Sequence, residues 1–119
     1  SSMTPVIVEK KGRLFLIAGS PGGSTIPASV LQVLVNVIDF GMNISEAVDT
    51  GRFYHQWLPD RVNWESDGLP PATVDKLRAA GHEMNERKSI GRVNAIMIMP
   101  NGKKAGGPDR RGNNSALGY

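Results

Sequence analysis

An apolar run from Leu14 to Ala18 breaks into Gly19-Ser20-Pro21-Gly22-Gly23-Ser24-Thr25, and a second apolar stretch begins at Ile26-Pro27. The first run predicts a strand covered on both faces. Pro21 fixes one φ, and two adjacent glycines open conformations that a Cβ forbids. Ser24 or Thr25 then supplies an N-cap for a helix with Pro27 in its first turn. A turn of this kind leaves backbone N–H groups facing outward near the positive end of a helix, where an anion or a developing oxyanion can sit. The plainer alternative is a corner that only redirects the chain. Two phosphate-binding patterns are excluded: the P-loop lysine is missing, and Gly19-x-x-Gly22-Gly23 is not G-x-G-x-x-G.

Upstream, Val6 to Glu9 and Leu14 to Ala18 flank Lys10-Lys11-Gly12-Arg13, the pattern of an antiparallel hairpin. Downstream, Pro27 to Phe40 predicts a helix apolar on almost every side, and therefore buried, with Gly41 ending it. Asn43-Ile-Ser-Glu46 has the form of a capping box and starts a short helix closed by Gly51. Its acidic sequence, Ser45-Glu-Ala-Val-Asp49, excludes a DNA-reading helix-turn-helix. Arg52 to Asp60 is the most aromatic segment, and Arg61 to Glu65 alternates like a strand. His55 is a candidate acid or base there; the alternative is a hydrogen-bonded histidine in a packed hinge. A helix over 72–80 stopped by Gly81, an edge strand over 82–88, a strand over 93–99 and a return strand over 103–106 complete the pattern. The segment from Pro108 onward reads as an extended tail.

With 119 residues, 39% of them hydrophobic and 21% charged, the chain is a single domain or a domain fragment with a real core. No apolar run approaches a transmembrane span, and nothing at the start resembles a signal peptide. A net charge of +3 with only 6% aromatics argues against nucleic-acid binding. No cysteine is present, which excludes disulfides and thiolate chemistry. His55 and His82 lie far apart and form no metal-binding pair motif, so no metal or cofactor is expected. The element order implies an α+β or layered α/β fold, helices packed on a mainly antiparallel sheet.

Several motifs occur in order: Ser1-Ser2-Met3-Thr4-Pro5, Gly19-Ser-Pro-Gly-Gly-Ser24, Asn43-x-x-Glu46-Ala47, Arg52-Phe-Tyr-His-Gln56 and the closing Gly118-Tyr119. Together they resemble the C-terminal part of the small subunit of γ-glutamyltranspeptidases, across essentially the whole chain. One departure is Pro108-Asp109-Arg110-Arg111, where the family often carries Asp-Pro-Arg. The resemblance implies the C-terminal portion of an N-terminal-nucleophile hydrolase fold with αββα layers. It also implies a self-cleaving precursor, whose exposed threonine takes the γ-glutamyl group as an acyl-enzyme and passes it to water or an acceptor amino acid.

By the same resemblance, Gly22 and Gly23 supply the oxyanion-hole N–H groups, and Ser1 and Ser2 bind the γ-glutamyl α-carboxylate. The nucleophilic threonine, a large-subunit arginine and the α-amine ligands have no counterpart here. The expected partners are a γ-glutamyl substrate such as glutathione, the rest of the small subunit and the large subunit, in a periplasmic or extracellular setting. Self-association of the fragment is also expected, because its strand and helix are built for cover on more than one side. Rival readings are a capsule depolymerase of poly-γ-glutamate, a related acylase, a small enzyme with Ser1 as its own nucleophile, and an inert fragment or binding module.

Overall fold

The computed structural model describes residues 3–118 of the chain. The described residues form two compact units, one built from those up to 49 and from 91 on, the other from 50–90. No helix is long and apolar enough to cross a membrane among the described residues.

The first unit is a four-stranded antiparallel sheet with two helices. Strand β1 (Val6–Lys10) pairs with β2 (Arg13–Gly19), β2 with β6 (Asn94–Ile98), and β6 with β7 (Lys104–Gly107). The hairpin turn between β1 and β2 has positive φ at both Lys11 (54°) and Gly12 (72°), the condition of a type I′ turn. Helix α1 (Ile26–Ile38) and helix α2 (Ile44–Asp49) follow β2. The core joins Leu16, Ala18, Val30, Val33, Val37, Ile44, Ala47, Val48, Val93 and Ala95. Helix α2 opens on the expected capping box, with Glu46 N donating to Asn43 Oδ1 at 2.9 Å and Asn43 N to Glu46 Oε2 at 3.3 Å.

Two burial expectations need correction. Strand β2 is covered on one face only: Leu16 and Ala18 are buried, but Ile17 is 38% exposed. Ile17 stands in a cross-strand row with Ile7 (70% exposed) and Ile96 (44% exposed), so the outer face of this sheet carries an open apolar ladder. Helix α1 likewise buries Ile26, Ser29, Val30, Val33 and Val37 but exposes Leu31 and Ile38. A continuous apolar run records what an element is built to bury, and the described residues cover only half of it.

The C-terminal segment is not a free tail. Asp109 is buried, and its Oδ2 accepts the Val93 N–H at 2.6 Å. Its Oδ1 accepts both Arg111 N (2.9 Å) and Arg111 Nη1 (3.0 Å), while Arg111 Nη1 also donates to Val48 O at 3.0 Å. The acid thus ties the segment to the entry of β6, and the arginine ties it to the end of α2. Turn composition concealed this, because composition carries no sign of long-range pairing.

In the second unit β3 (Phe53–Tyr54) pairs antiparallel with β4 (Val62–Trp64), and β4 pairs parallel with β5 (Met84–Glu86); helix α3 (Pro71–Ala79) connects β4 to β5. Pro71 occupies the first turn of α3, where its missing N–H costs nothing. Both ends of this unit meet on one carboxylate. Glu65 Oε2 accepts Arg52 N at 2.9 Å, Glu65 Oε1 accepts Ile90 N at 2.6 Å, and Arg52 Nη1 donates to Ile90 O at 2.9 Å. The mixture of helices with mainly antiparallel sheets is the expected α+β class.

Candidate active site

The glycine turn leaves the end of β2 and enters a single 3-10 turn, Gly23–Thr25, that runs directly into α1. Gly22 has φ 137° and Gly23 φ 65°, conformations that explain why two glycines stand here. Both are exposed. Neither N–H has an intrahelical acceptor, as at any helix start, and among the described residues neither is bonded to a backbone carbonyl elsewhere. Two adjacent N–H donors at a solvent-facing helix entry form an arrangement suited to a carboxylate or an oxyanion.

The turn is held from several directions. Ser20 N donates to Met3 O at 2.9 Å, so the residue that follows the serine pair in sequence lies against the turn. Ser20 is fully buried; its Oγ donates to Pro21 O at 2.7 Å and accepts Arg92 N at 3.1 Å. Gly91, at φ 65°, packs so closely that a Cβ there would lie 2.2 Å from Ser29 Oγ. A Cβ on Gly22 would in turn meet Gly91 Cα at 3.4 Å. Thr25 does not cap α1 as expected, since no side-chain cap bond forms; its Oγ1 donates backward to Gly22 O at 2.9 Å.

Gly22 and Gly23 therefore stand together at an exposed turn, while Ser1 and Ser2 lie outside the described residues. Sequence reasoning offered Thr25 only as a helix cap and missed Ser20 and the Gly91-Arg92 buttress. Only the small side chains around Pro21 and the isolated Gly91 hinted at a close approach of two backbones.

His55 belongs to the second unit and takes the hydrogen-bonded role. Its Nδ1 accepts Trp57 N at 3.1 Å, which places the ring proton on Nε2, and Nε2 donates to Asp60 Oδ1 at 3.0 Å. The ring clamps the loop that carries Trp57 at φ 73°. His82, remote in sequence, lies beside it with ring centroids 6.3 Å apart. One ligand-type atom each from His55, Asp60 and His82 lies within 4.8 Å of the others. The fit to a metal is poor, because the His55 nitrogen facing Asp60 carries the proton that the Trp57 contact forces onto it.

The whole chain, residues 1–119, matches the family model described as Gamma-glutamyltranspeptidase. It is 45% identical to a glutathione hydrolase proenzyme of Escherichia coli over 93% of the chain and 19% of that protein. It is 38% identical to the Bacillus subtilis glutathione hydrolase proenzyme over 99% of the chain and 20% of that protein. The chain thus spans about a fifth of the curated relatives it matches. Among solved structures it is similar to a mutant of Helicobacter pylori gamma-glutamyltranspeptidase, with a TM-score of 0.88 and 47% identity, over 94% of this chain and 62% of that one. With its glycine turn, its α+β architecture and a family match from end to end, this chain belongs to the gamma-glutamyltranspeptidase family.

Proposed function

We propose that the chain is the C-terminal part of the small subunit of a γ-glutamyltransferase. The parent enzyme transfers or hydrolyses the γ-glutamyl group of glutathione and related amides through a threonine acyl-enzyme. Gly22 and Gly23 donate their N–H groups to the tetrahedral oxyanion, and Ser1 and Ser2 bind the substrate α-carboxylate through convergent hydroxyls. The threonine, whose α-amine serves as its base, comes from sequence outside this chain, as do the remaining substrate ligands and the large subunit. A periplasmic or extracellular location accompanies this reading. The observation that carries it is the pair of consecutive, exposed, positive-φ glycines entering α1 in a chain of this family.

The test is turnover of a γ-glutamyl anilide by the isolated chain and by the full-length, processed protein. The isolated chain is expected to show none and the full-length protein to be active; turnover by the isolated chain would refute an external nucleophile. The open ladder of Ile7, Ile17 and Ile96 supports a second expectation: without the rest of the protein, the chain covers that face with another copy of itself. Light scattering is expected to give a mass above that of one copy, and a clean monomer at high concentration would refute it.

A further inference from the structure

The C=O and N–H of a trans peptide point in opposite directions, so a group that holds the carbonyl also aims the N–H across the bond. The peptides of the glycine turn are trans, the one cis bond among the described residues being Leu58–Pro59. Two successive carbonyls in the turn are each held by a hydroxyl. Ser20 Oγ donates to Pro21 O, the carbonyl of the peptide that carries the Gly22 N–H. Thr25 Oγ1 donates to Gly22 O, the carbonyl of the peptide that carries the Gly23 N–H.

Both hydroxyls are committed to this task. A serine hydroxyl has one proton, and Ser20 Oγ already accepts the Arg92 N–H, which leaves its proton for Pro21 O. Thr25 makes no cap bond to α1, so its hydroxyl is not spent on the helix. The peptides they hold flank glycines, whose backbone is the most free to rotate of any residue's. We propose that Ser20 and Thr25 are positioning residues for the two oxyanion donors, one hydroxyl per peptide plane. This rests on the reading of Gly22 and Gly23 as the oxyanion hole. Neither side chain touches the substrate; each fixes the direction of an N–H before charge develops, which is where preorganised donors gain their advantage over water.

The experiment uses the full-length, processed enzyme with Thr25→Val, Thr25→Ser, Ser20→Ala and, as a separate check on the oxyanion reading, Gly22→Ala. The readouts are kcat and KM for a γ-glutamyl anilide, and affinities for glutamate and for its γ-boronic acid analogue, whose tetrahedral boronate imitates the intermediate. Thr25→Val and Ser20→Ala are each expected to lower kcat about tenfold, less than the loss of a whole donor, because the N–H is misaimed rather than removed. KM is expected to stay within about twofold, the pattern of an interaction made only in the transition state. Boronate affinity should fall with kcat while glutamate affinity holds, and Thr25→Ser, which restores the hydroxyl, should recover most of the loss. Equal loss of both ligands, or an unchanged kcat in Thr25→Val, overturns the proposal. If Gly22→Ala loses kcat while Thr25→Val and Ser20→Ala keep it, only the positioning role fails. If Gly22→Ala keeps kcat, the oxyanion reading fails and the positioning role with it. Should Ser20→Ala not fold, the half-buried Thr25 pair of variants decides alone.

Discussion

Gly22→Ala in the full-length protein is expected to lower kcat by on the order of 10²–10³, the usual cost of losing one oxyanion donor. The cause is backbone geometry, since glycine contributes no side chain to the site. At φ 137° a residue with a Cβ is strained, and that Cβ would also meet Thr25 Oγ1 at 3.0 Å. Relief of either conflict rotates the peptide and turns the N–H away. Gly23→Ala makes an instructive contrast. Its φ of 65° lies in the left-handed region that alanine adopts at a cost of roughly 1–2 kcal/mol, and nothing lies within 4 Å of the added atom. Its effect on kcat should therefore be much smaller. Steady-state kinetics on the two variants checks this, and a Gly23→Ala loss equal to that of Gly22→Ala would contradict the geometric account.

Asp109→Ala is expected to destabilise the fold by about 3–5 kcal/mol, the usual result of removing one partner from a buried ion pair. The carboxylate is fully buried, accepts bonds from Val93 N and from Arg111 N and Nη1, and leaves the Arg111 guanidinium buried beside it when removed. A loss of this size is comparable to much of the total stability of a small domain, about 5–15 kcal/mol. Urea unfolding of the full-length protein reads it as a fall in midpoint. A shift corresponding to less than about 1 kcal/mol, the range of exposed pairs, would show that the network does not hold the C-terminal segment. Replacing Arg110, whose side chain lies on an exposed residue, is expected to matter far less.

Much of this architecture is legible from local pattern. The hairpin, the capping box at Asn43 and Glu46, and the glycine stops at Gly41 and Gly81 depend on residues close together in sequence, and all form where the pattern places them. The Gly22-Gly23 turn belongs to the same class, since its conformation is written in its own residues. What stayed hidden depends on residues far apart. Asp109 finds Val93, Glu65 closes Arg52 onto Ile90, and His55 meets His82, and no local periodicity announces any of these. The burial of β2 and α1 differs from the local pattern for the opposite reason: an apolar run reports the demand for cover, and the described residues cover only one side of each. The candidate site is legible only in part on the same grounds, because the glycine pair is local and the backbone at Arg92, which donates to Ser20 Oγ, is not.

The bond from Arg92 N to Ser20 Oγ joins residues 72 positions apart. A peptide copied from residues 19–25 would carry every glycine and hydroxyl of the turn, yet lack the strand entry that commits the Ser20 proton. During synthesis the same turn leaves the ribosome before Gly91 and Arg92 exist, so Ser20 Oγ gains the Arg92 N–H only after the later strand entry has docked. The turn as it stands in the fold is therefore completed late in the life of the chain, with the docking of a distant segment rather than with the appearance of the motif.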